Sequence, residues 1–164
     1  SVTLANTGQD AMTGARIYKV RSYLNDEPFM LTYGDGLSDI NLDALLAYHR
    51  SKNLAVTVTG VRPPARFGEL QIDSDGIASG FNEKPQASAG MISGGFFVCE
   101  PAVFDHMNSQ ENLVFEQDPM QSLVGEKLLA VYQHDGFWQC MDTFRDWQLL
   151  NSMIDQEKAP WKVW

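Results

Sequence analysis

Five apolar or β-favouring residues, Phe29-Met30-Leu31-Thr32-Tyr33, run straight into Gly34-Asp35-Gly36. An apolar run of this length, closed by a turn signal, predicts a buried strand. Gly34 and Gly36 permit backbone conformations and close approaches that a Cβ resists. Asp35 is thereby predicted at the carboxyl end of a central strand, where open α/β sheets bind their ligands. A carboxylate flanked by bare backbone suits a hard cation such as Mg²⁺, which in turn holds phosphate oxygens. The same stretch also reads as a glycine-rich turn whose Asp bonds its own backbone.

Around this stretch the chain alternates strand and helix patterns. Val2-Thr3-Leu4 reads as a short strand, and Arg16 to Leu24 as a helix with Ile17, Val20 and Leu24 on one face. Asn41 is placed to cap a helix that buries Leu42, Leu45, Leu46 and His49. His49 there reads as a satisfied histidine near a helix end. Ala55 to Val61 is a strand by its β-branched content. Strand, helix, strand predicts a βαβ unit, with its two strands a parallel pair and a right-handed crossover.

Arg62-Pro63-Pro64-Ala65-Arg66-Phe67-Gly68 follows as a proline-extended loop. Gly68 either brings backbone close to a ligand or simply opens the next strand. Glu69 to Ile72 and Ile77 to Asn82 flank Asp73-Ser74-Asp75-Gly76 as a hairpin. In Glu83-Lys84-Pro85, Lys84 either presents an ammonium to a phosphate or forms a solvated surface pair with Glu83. Met91 to Cys99 is a strand whose Gly94-Gly95 pair suggests a bulge or a closely packed ligand.

Pro101 suits the first turn of a short helix carrying Val103 and Phe104. Asp118-Pro119-x-Gln121 resembles a capping box, and Leu128 to Gln133 is a strand. Phe137 to Met141 is a short apolar segment ending in Asp142-Thr143. Thr143 with Asp146 predicts the cap of a helix to about Glu157, with Trp147, Leu150 and Ile154 on its apolar face. Asp142 is either an N-cap or a second carboxylate placed like Asp35. Trp161 and Trp164, in a polar tail, are expected to dock on the chain's own core or on a neighbouring subunit.

Composition bounds the chemistry. A chain of 164 residues with 44% hydrophobic residues and four Trp fits one globular domain. A net charge of −9 argues against a nucleic-acid partner, because phosphate neutralisation needs a basic surface. Phosphorylated small molecules stay compatible, since a metal or a few local Lys and Arg reverse the field in one pocket. Cys99 and Cys140 lack CxxC spacing and read as free thiols of a reducing compartment. No run reaches membrane-span length and no signal peptide opens the sequence, so the cytoplasm and no membrane partner are expected.

Taken together, Tyr33-Gly34-Asp35-Gly36, Glu83-Lys84-Pro85, Ser93-Gly94-Gly95-Phe96-Phe97-Val98 and Phe137-Trp138-Gln139-Cys140-Met141-Asp142-Thr143 resemble the sugar-1-phosphate nucleotidylyltransferases. Met12-Thr13-Gly14-Ala15-Arg16, Arg62 to Gly68, Phe115-Glu116-Gln117-Asp118-Pro119 and Lys158-Ala159-Pro160-Trp161-Lys162 narrow the likeness to the glucose-1-phosphate cytidylyltransferases. The resemblance implies an α/β fold of the nucleotide-diphospho-sugar transferase type, a Rossmann-like mixed sheet flanked by helices. It implies Asp35 and Asp142 as Mg²⁺ ligands. Lys84 would contact the sugar phosphate and Glu83 the sugar hydroxyls. Gly34 and Arg16 would line the nucleotide site, and Gly68 and Gly94 would surround the sugar. The implied reaction joins CTP and glucose-1-phosphate into CDP-glucose and pyrophosphate.

One departure is large. The family's glycine-rich Gly-x-Gly-Thr-Arg loop, followed by a lysine, does not occur in these 164 residues. On the resemblance the sequence starts about a third of the way into the family pattern, as a truncated domain. Ala15 also stands where a glycine is expected before Arg16. Each lost transition-state contact costs roughly 3 kcal/mol, so weak or no catalysis by this chain is expected. A non-catalytic module that binds sugar phosphate or oligomerises is the alternative. A sheet left open on one side is expected to be covered by a second copy, giving a homodimer or higher oligomer.

Overall fold

The computed structural model describes residues 1–63, 69–82 and 90–163, and the side chains of 69–72 and 81–82 are outside the description. Gly68, Glu83, Lys84 and Trp164 therefore lie outside the described residues. In chain order the elements are α1 (Thr13–Val20), β1 (Phe29–Thr32), β2 (Gly36–Ser38), α2 (Leu42–Lys52), β3 (Val56–Val61) and β4 (Glu69–Ile72). They continue as β5 (Ala78–Asn82), β6 (Ile92–Cys99), α3 (Asp118–Gly125), β7 (Leu129–His134), β8 (Trp138–Cys140) and α4 (Phe144–Asp155). Short 3-10 helices cover Arg21–Tyr23 and Pro101–His106. The chain divides into two units.

The first unit comprises Ser1–Tyr33, Asn41–Thr59 and Gly95–Tyr132. Its sheet has the order β1-β6-β3-β7. β1 runs antiparallel to β6, in register from Phe29↔Cys99 to Thr32↔Phe96. The expected parallel neighbours β1 and β3 are not adjacent: β6 lies between them. The apolar stretch Phe97-Val98-Cys99 is almost wholly buried, and filling the centre of a sheet is its best burial. β1 is consequently an edge strand rather than a central one, and Met30 is 46% exposed.

The core gathers Ala15 and Ile17 of α1 with Val56, Val58, Phe97, Cys99, Val103, Phe115 and Leu123. Phe97 meets Tyr33 and Phe115 edge-on, at 5.8 and 5.5 Å between ring centroids. Gly14 lets α1 approach closely, since a Cβ there would lie 2.8 Å from Leu113 Cγ. Asn41 caps α2 by accepting from the Ala44 N–H at 2.9 Å. Asn53 ends that helix in the left-handed region, which Asn tolerates. His49 is buried and satisfied by Thr57 Oγ1 at 2.8 Å and Glu100 Oε1 at 3.1 Å, as a helix-end histidine should be.

Three local expectations fail in this unit. Val2 and Leu4 form no strand and are 87% and 94% exposed. Leu42 sits at the first position of α2 and is exposed rather than buried. The capping box at Asp118 does not form. The N-cap is Gln117, whose ψ of −113° is outside the extended region from which a side chain caps.

The second unit comprises Gly34–Ile40, Gly60–Gly94 and Gln133–Trp164. β4 and β5 form the expected hairpin. Asp73 Oδ1 closes its turn by accepting from the Asp75 and Ile77 N–H groups. β2 and β8 form an antiparallel pair, Gly36↔Cys140 to Ser38↔Trp138. α4 follows β8 within a few residues. Leu150 is its buried residue, whereas Trp147 and Ile154 are about half exposed, against expectation. Trp161 does dock on its own unit, stacking on Phe137 at 5.3 Å.

Candidate functional site

The β2–β8 ladder extends beyond its formal ends. Asp39 N–H donates to Phe137 O at one end and Met141 N–H donates to Asp35 O at 2.8 Å at the other. That last bond places Met141 opposite Asp35, so continuing the register sets the backbone of Asp142, one residue on, opposite Gly34. The backbones of two aspartates separated by more than a hundred positions in sequence thus come within one residue of each other because two short strands pair. Both residues are exposed.

Asp142 is not the helix cap. Thr143 is, and it forms a full capping box with Asp146. Thr143 Oγ1 accepts from the Asp146 N–H at 3.2 Å, and Asp146 Oδ2 accepts from the Thr143 N–H at 2.9 Å. Asp142 instead lies just outside the positive end of α4, where a carboxylate is favoured. Its Oδ2 accepts from the Cys140 thiol at 3.3 Å. Burial first, then this donation and the charges of Asp142 and Asp146, push the Cys140 thiol above its ordinary range. It is held as a neutral donor.

The far end of the ladder is locked. Ser38 Oγ donates to Phe137 O at 2.6 Å, and His134 Nε2 lies 3.2 Å from Ser38 Oγ. His134 Nε2 also lies 2.9 Å from Asp39 Oδ1, although that buried oxygen has no aligned hydrogen bond. Gly136 is required here, because a Cβ would sit 2.5 Å from Asp39 Oδ1 and 2.7 Å from the His134 ring.

The donor set fits a hard, partly hydrated cation. Mg²⁺ is usually held by one or two carboxylates together with waters and substrate phosphates. Asp35 and Asp142 are two carboxylates that would supply such oxygens. Among the described residues no group of three or more His, Cys, Asp and Glu is arranged to hold a metal.

The other predicted residues fall as follows. Gly34 and Gly94 belong to the same unit as Asp35 and Asp142. A Cβ on Gly34 would meet nothing within 4 Å, so the space beside it is open. Gly94 O accepts from the Trp138 indole N–H at 2.8 Å. Gly95 has a φ of +77°, which accounts for a glycine there. Arg16 lies in the first unit and spends its guanidinium on Thr7 Oγ1, Gly8 O and Gln9 O, at 2.7 to 3.1 Å. Lys84, Glu83 and Gly68 lie outside the described residues. Sequence reasoning missed Trp138, Gln139 and Cys140 as partners of the site. Their one signal is three donor-bearing residues in a row just before Asp142.

Among the described residues no helix is long and apolar enough to cross a membrane. Compared with known proteins, the chain is 45% identical over 163 residues to a probable glucose-1-phosphate cytidylyltransferase of Bacillus subtilis, covering 99% of this chain. It is 41% identical over 165 residues to a glucose-1-phosphate cytidylyltransferase of Salmonella typhi. The chain spans 63% of the length of each of these relatives. Its fold matches that of HddC from Yersinia pseudotuberculosis, solved with GMP-PN, at a TM-score of 0.63 and 17% identity, covering 90% of this chain and 64% of that one. The α/β expectation, a mixed sheet with helices around it, is thereby met. Residues 2–155 match the nucleotidyl transferase family, to which the chain belongs.

Proposed function

We propose that these residues form the sugar-phosphate and metal part of a glucose-1-phosphate cytidylyltransferase. The observation that supports the reading is the Met141–Asp35 backbone bond, which brings the chain at Asp142 to within one residue of Asp35. Likeness to the cytidylyltransferases of Bacillus subtilis and Salmonella typhi supports the choice of reaction. In that reaction a phosphate oxygen of glucose-1-phosphate attacks the α-phosphorus of CTP. The new P–O bond gives CDP-glucose, and the bond to the β-phosphate breaks to release pyrophosphate.

In this reading Asp35 and Asp142 hold Mg²⁺, which when bound neutralises charge on the phosphates. Lys84 brings a cationic donor to phosphate, and Glu83 accepts from sugar hydroxyls. The backbones at Gly34, Gly68 and Gly94 approach the substrates closely. Such a site accelerates by alignment and charge neutralisation, with little covalent work for side chains.

The 164-residue chain by itself turns over weakly or not at all, because no Gly-x-Gly-Thr-Arg phosphate cradle occurs in it. Incubation with CTP, glucose-1-phosphate and Mg²⁺ tests this, and turnover at ordinary enzyme rates would overturn it. Calorimetric titration separates the alternatives. Binding of glucose-1-phosphate without turnover supports a non-catalytic sugar-phosphate module, and no binding ends the sugar-phosphate reading. The acidic net charge supports a protein without a nucleic-acid partner.

We further propose that a second copy covers the open edge of β1. Beside it Met30, Thr32, Leu42, Leu45 and Phe96 line an apolar groove of about 130 Å³. β1 carries no charge and no proline, the features that normally protect an edge. A two-fold axis pairing β1 with its copy uses the same surface on both sides. Sedimentation at micromolar concentration should show a dimer, and a strictly monomeric profile would end the proposal.

A further inference from the structure

We infer that the first unit carries a binding groove for a small aliphatic polyamine, between the 3-10 helix Pro101–His106 and the stretch that joins α1 to β1. Its volume is about 610 Å³, inside the range of roughly 300–1,000 Å³ usual for small-molecule sites. Its lining belongs wholly to the first unit and includes none of the residues read above as metal or sugar-phosphate ligands.

One wall is a reversal of the chain. Leu24 N–H donates to Arg21 O at 3.1 Å, and Glu27 N–H donates to Leu24 O at 3.1 Å. Between them Asn25 and Asp26 take φ of 52° and 54°, left-handed values that Asn and Asp tolerate. Asp26 and Glu27 are thereby presented beside Leu24. The facing wall is Pro101, Ala102 and Phe104, with Asp105. Phe104 is fixed from behind, stacked on Phe29 at 5.8 Å and edge-on to Tyr18 at 6.4 Å between centroids. Leu24, Pro101 and Phe104 are half-buried, whereas the three carboxylates are exposed. The groove has an apolar floor and an acidic rim.

Charge selects the ligand class. Arg21 is the one cation among the described lining residues, and it is committed to α1. Its guanidinium lies 3.8 Å from the Tyr18 ring centroid, and Nη1 donates to Tyr18 O at 3.3 Å. Asp26, Glu27 and Asp105 have no ion pair or side-chain hydrogen bond among the described residues. A cleft lined by one sign of charge concentrates the opposite ion. These carboxylates are not arranged to converge on a single metal ion. A polyamine matches both features at once. Its methylenes lie on the apolar floor while its separated ammonium groups stay at the wet rim, as lysine stems and heads do.

The test is calorimetric titration of the 164-residue chain with spermidine at physiological ionic strength, where saturable binding is expected. Glu27→Gln and Asp105→Asn should each weaken it about threefold, the weight of one exposed charge pair, and the triple variant with Asp26→Asn at least about tenfold. Asp43→Asn removes a charge from α2 and should change nothing. In the unmodified chain the backbone ¹H–¹⁵N signals of Leu24 and Ala102 should shift when spermidine is added. This last measurement needs no variant to fold. Absence of saturable binding would overturn the inference, as would triple-variant binding within about twofold of wild type. Leu24 and Ala102 signals that stay in place would overturn it too. A loss in Asp43→Asn as large as that in Glu27→Gln would mean attraction to the net charge alone. Displacement by Mg²⁺ beyond that by sodium at equal ionic strength would assign the carboxylates to a metal ion instead.

Discussion

Thr143 and Asp146 exchange hydrogen bonds across the first turn of α4, each satisfying the other's backbone N–H. This completes the cap without Asp142, whose Oδ2 accepts from the Cys140 thiol instead. Thr143→Ala should cost about 1 kcal/mol of stability, the usual loss for an N-cap. Asp146→Ala should cost more, because it strands the Thr143 N–H, the Thr143 hydroxyl and the Gln139 amide together. Urea unfolding monitored by circular dichroism checks both, with the slope expected to stay unchanged.

Two threonines on one face of β3 make a sharper pair. Thr57 and Thr59 are both fully buried. Thr57 Oγ1 lies 2.8 Å from His49 Nδ1, whereas Thr59 Oγ1 has no hydrogen-bond partner among the described residues. Thr57→Val should cost roughly 1–3 kcal/mol, since it leaves a buried imidazole nitrogen unpaired. Thr59→Val should be neutral or stabilising, because it removes an unpaired hydroxyl. Equal effects in urea titration would show that burial alone, and not the His49 bond, decides the strand.

These particulars show what the sequence makes legible. The Thr143–Asp146 cap is readable because it lies within four residues and its chemistry is local. The Asn41 cap and the Asp73 to Gly76 turn are readable for the same reason. Asp142 as a candidate ligand needed the family resemblance, since its neighbour Asp35 arrives through a nonlocal strand pair. The order of the sheet was not legible. Nothing in Phe29 to Tyr33 or Ala55 to Val61 encodes that Ile92–Cys99 inserts between them. Nor does helical spacing tell that Trp147 and Ile154 stay exposed while Leu150 is buried, because periodicity gives a face but not its partner. The indole bond of Trp138 to Gly94 is of the same nonlocal kind.

The two thiols should behave differently from ordinary cysteines. Burial pushes Cys99 up to about 12, with the nearby Glu100 charge adding to it. Cys140 is raised as well. Thiolates are the reactive form, so at pH 8 the folded chain should label only slowly at Cys140, and at Cys99 only through unfolding. Both should label rapidly in urea. The linkage has a definite sign. Between the ordinary value of 9.0 and about 12, folded Cys99 keeps a proton that the unfolded chain releases. The unfolded state then binds fewer protons, so stability falls as pH rises through that window and is insensitive to this group below it. A melting temperature flat from pH 9 to pH 11 would contradict the assignment.

The proposed cation site yields the prediction that bears most directly on function. Asp142→Asn keeps the shape of the side chain and an oxygen that accepts from the Cys140 thiol. It removes the negative charge. A structural role for Asp142 would survive that change, and a ligand role would not, because Mg²⁺ prefers charged oxygens and holds its own waters tightly. Asp142→Asn and Asp35→Asn should therefore each weaken Mn²⁺ binding, read by paramagnetic resonance, by at least about tenfold, or about 1.4 kcal/mol. Both variants should keep the wild-type circular dichroism spectrum. The double variant tests the neighbour relation. If both carboxylates serve one ion, each single variant weakens the same Mn²⁺ site and the double variant weakens it further. A variant that leaves Mn²⁺ affinity unchanged would remove its carboxylate from the site.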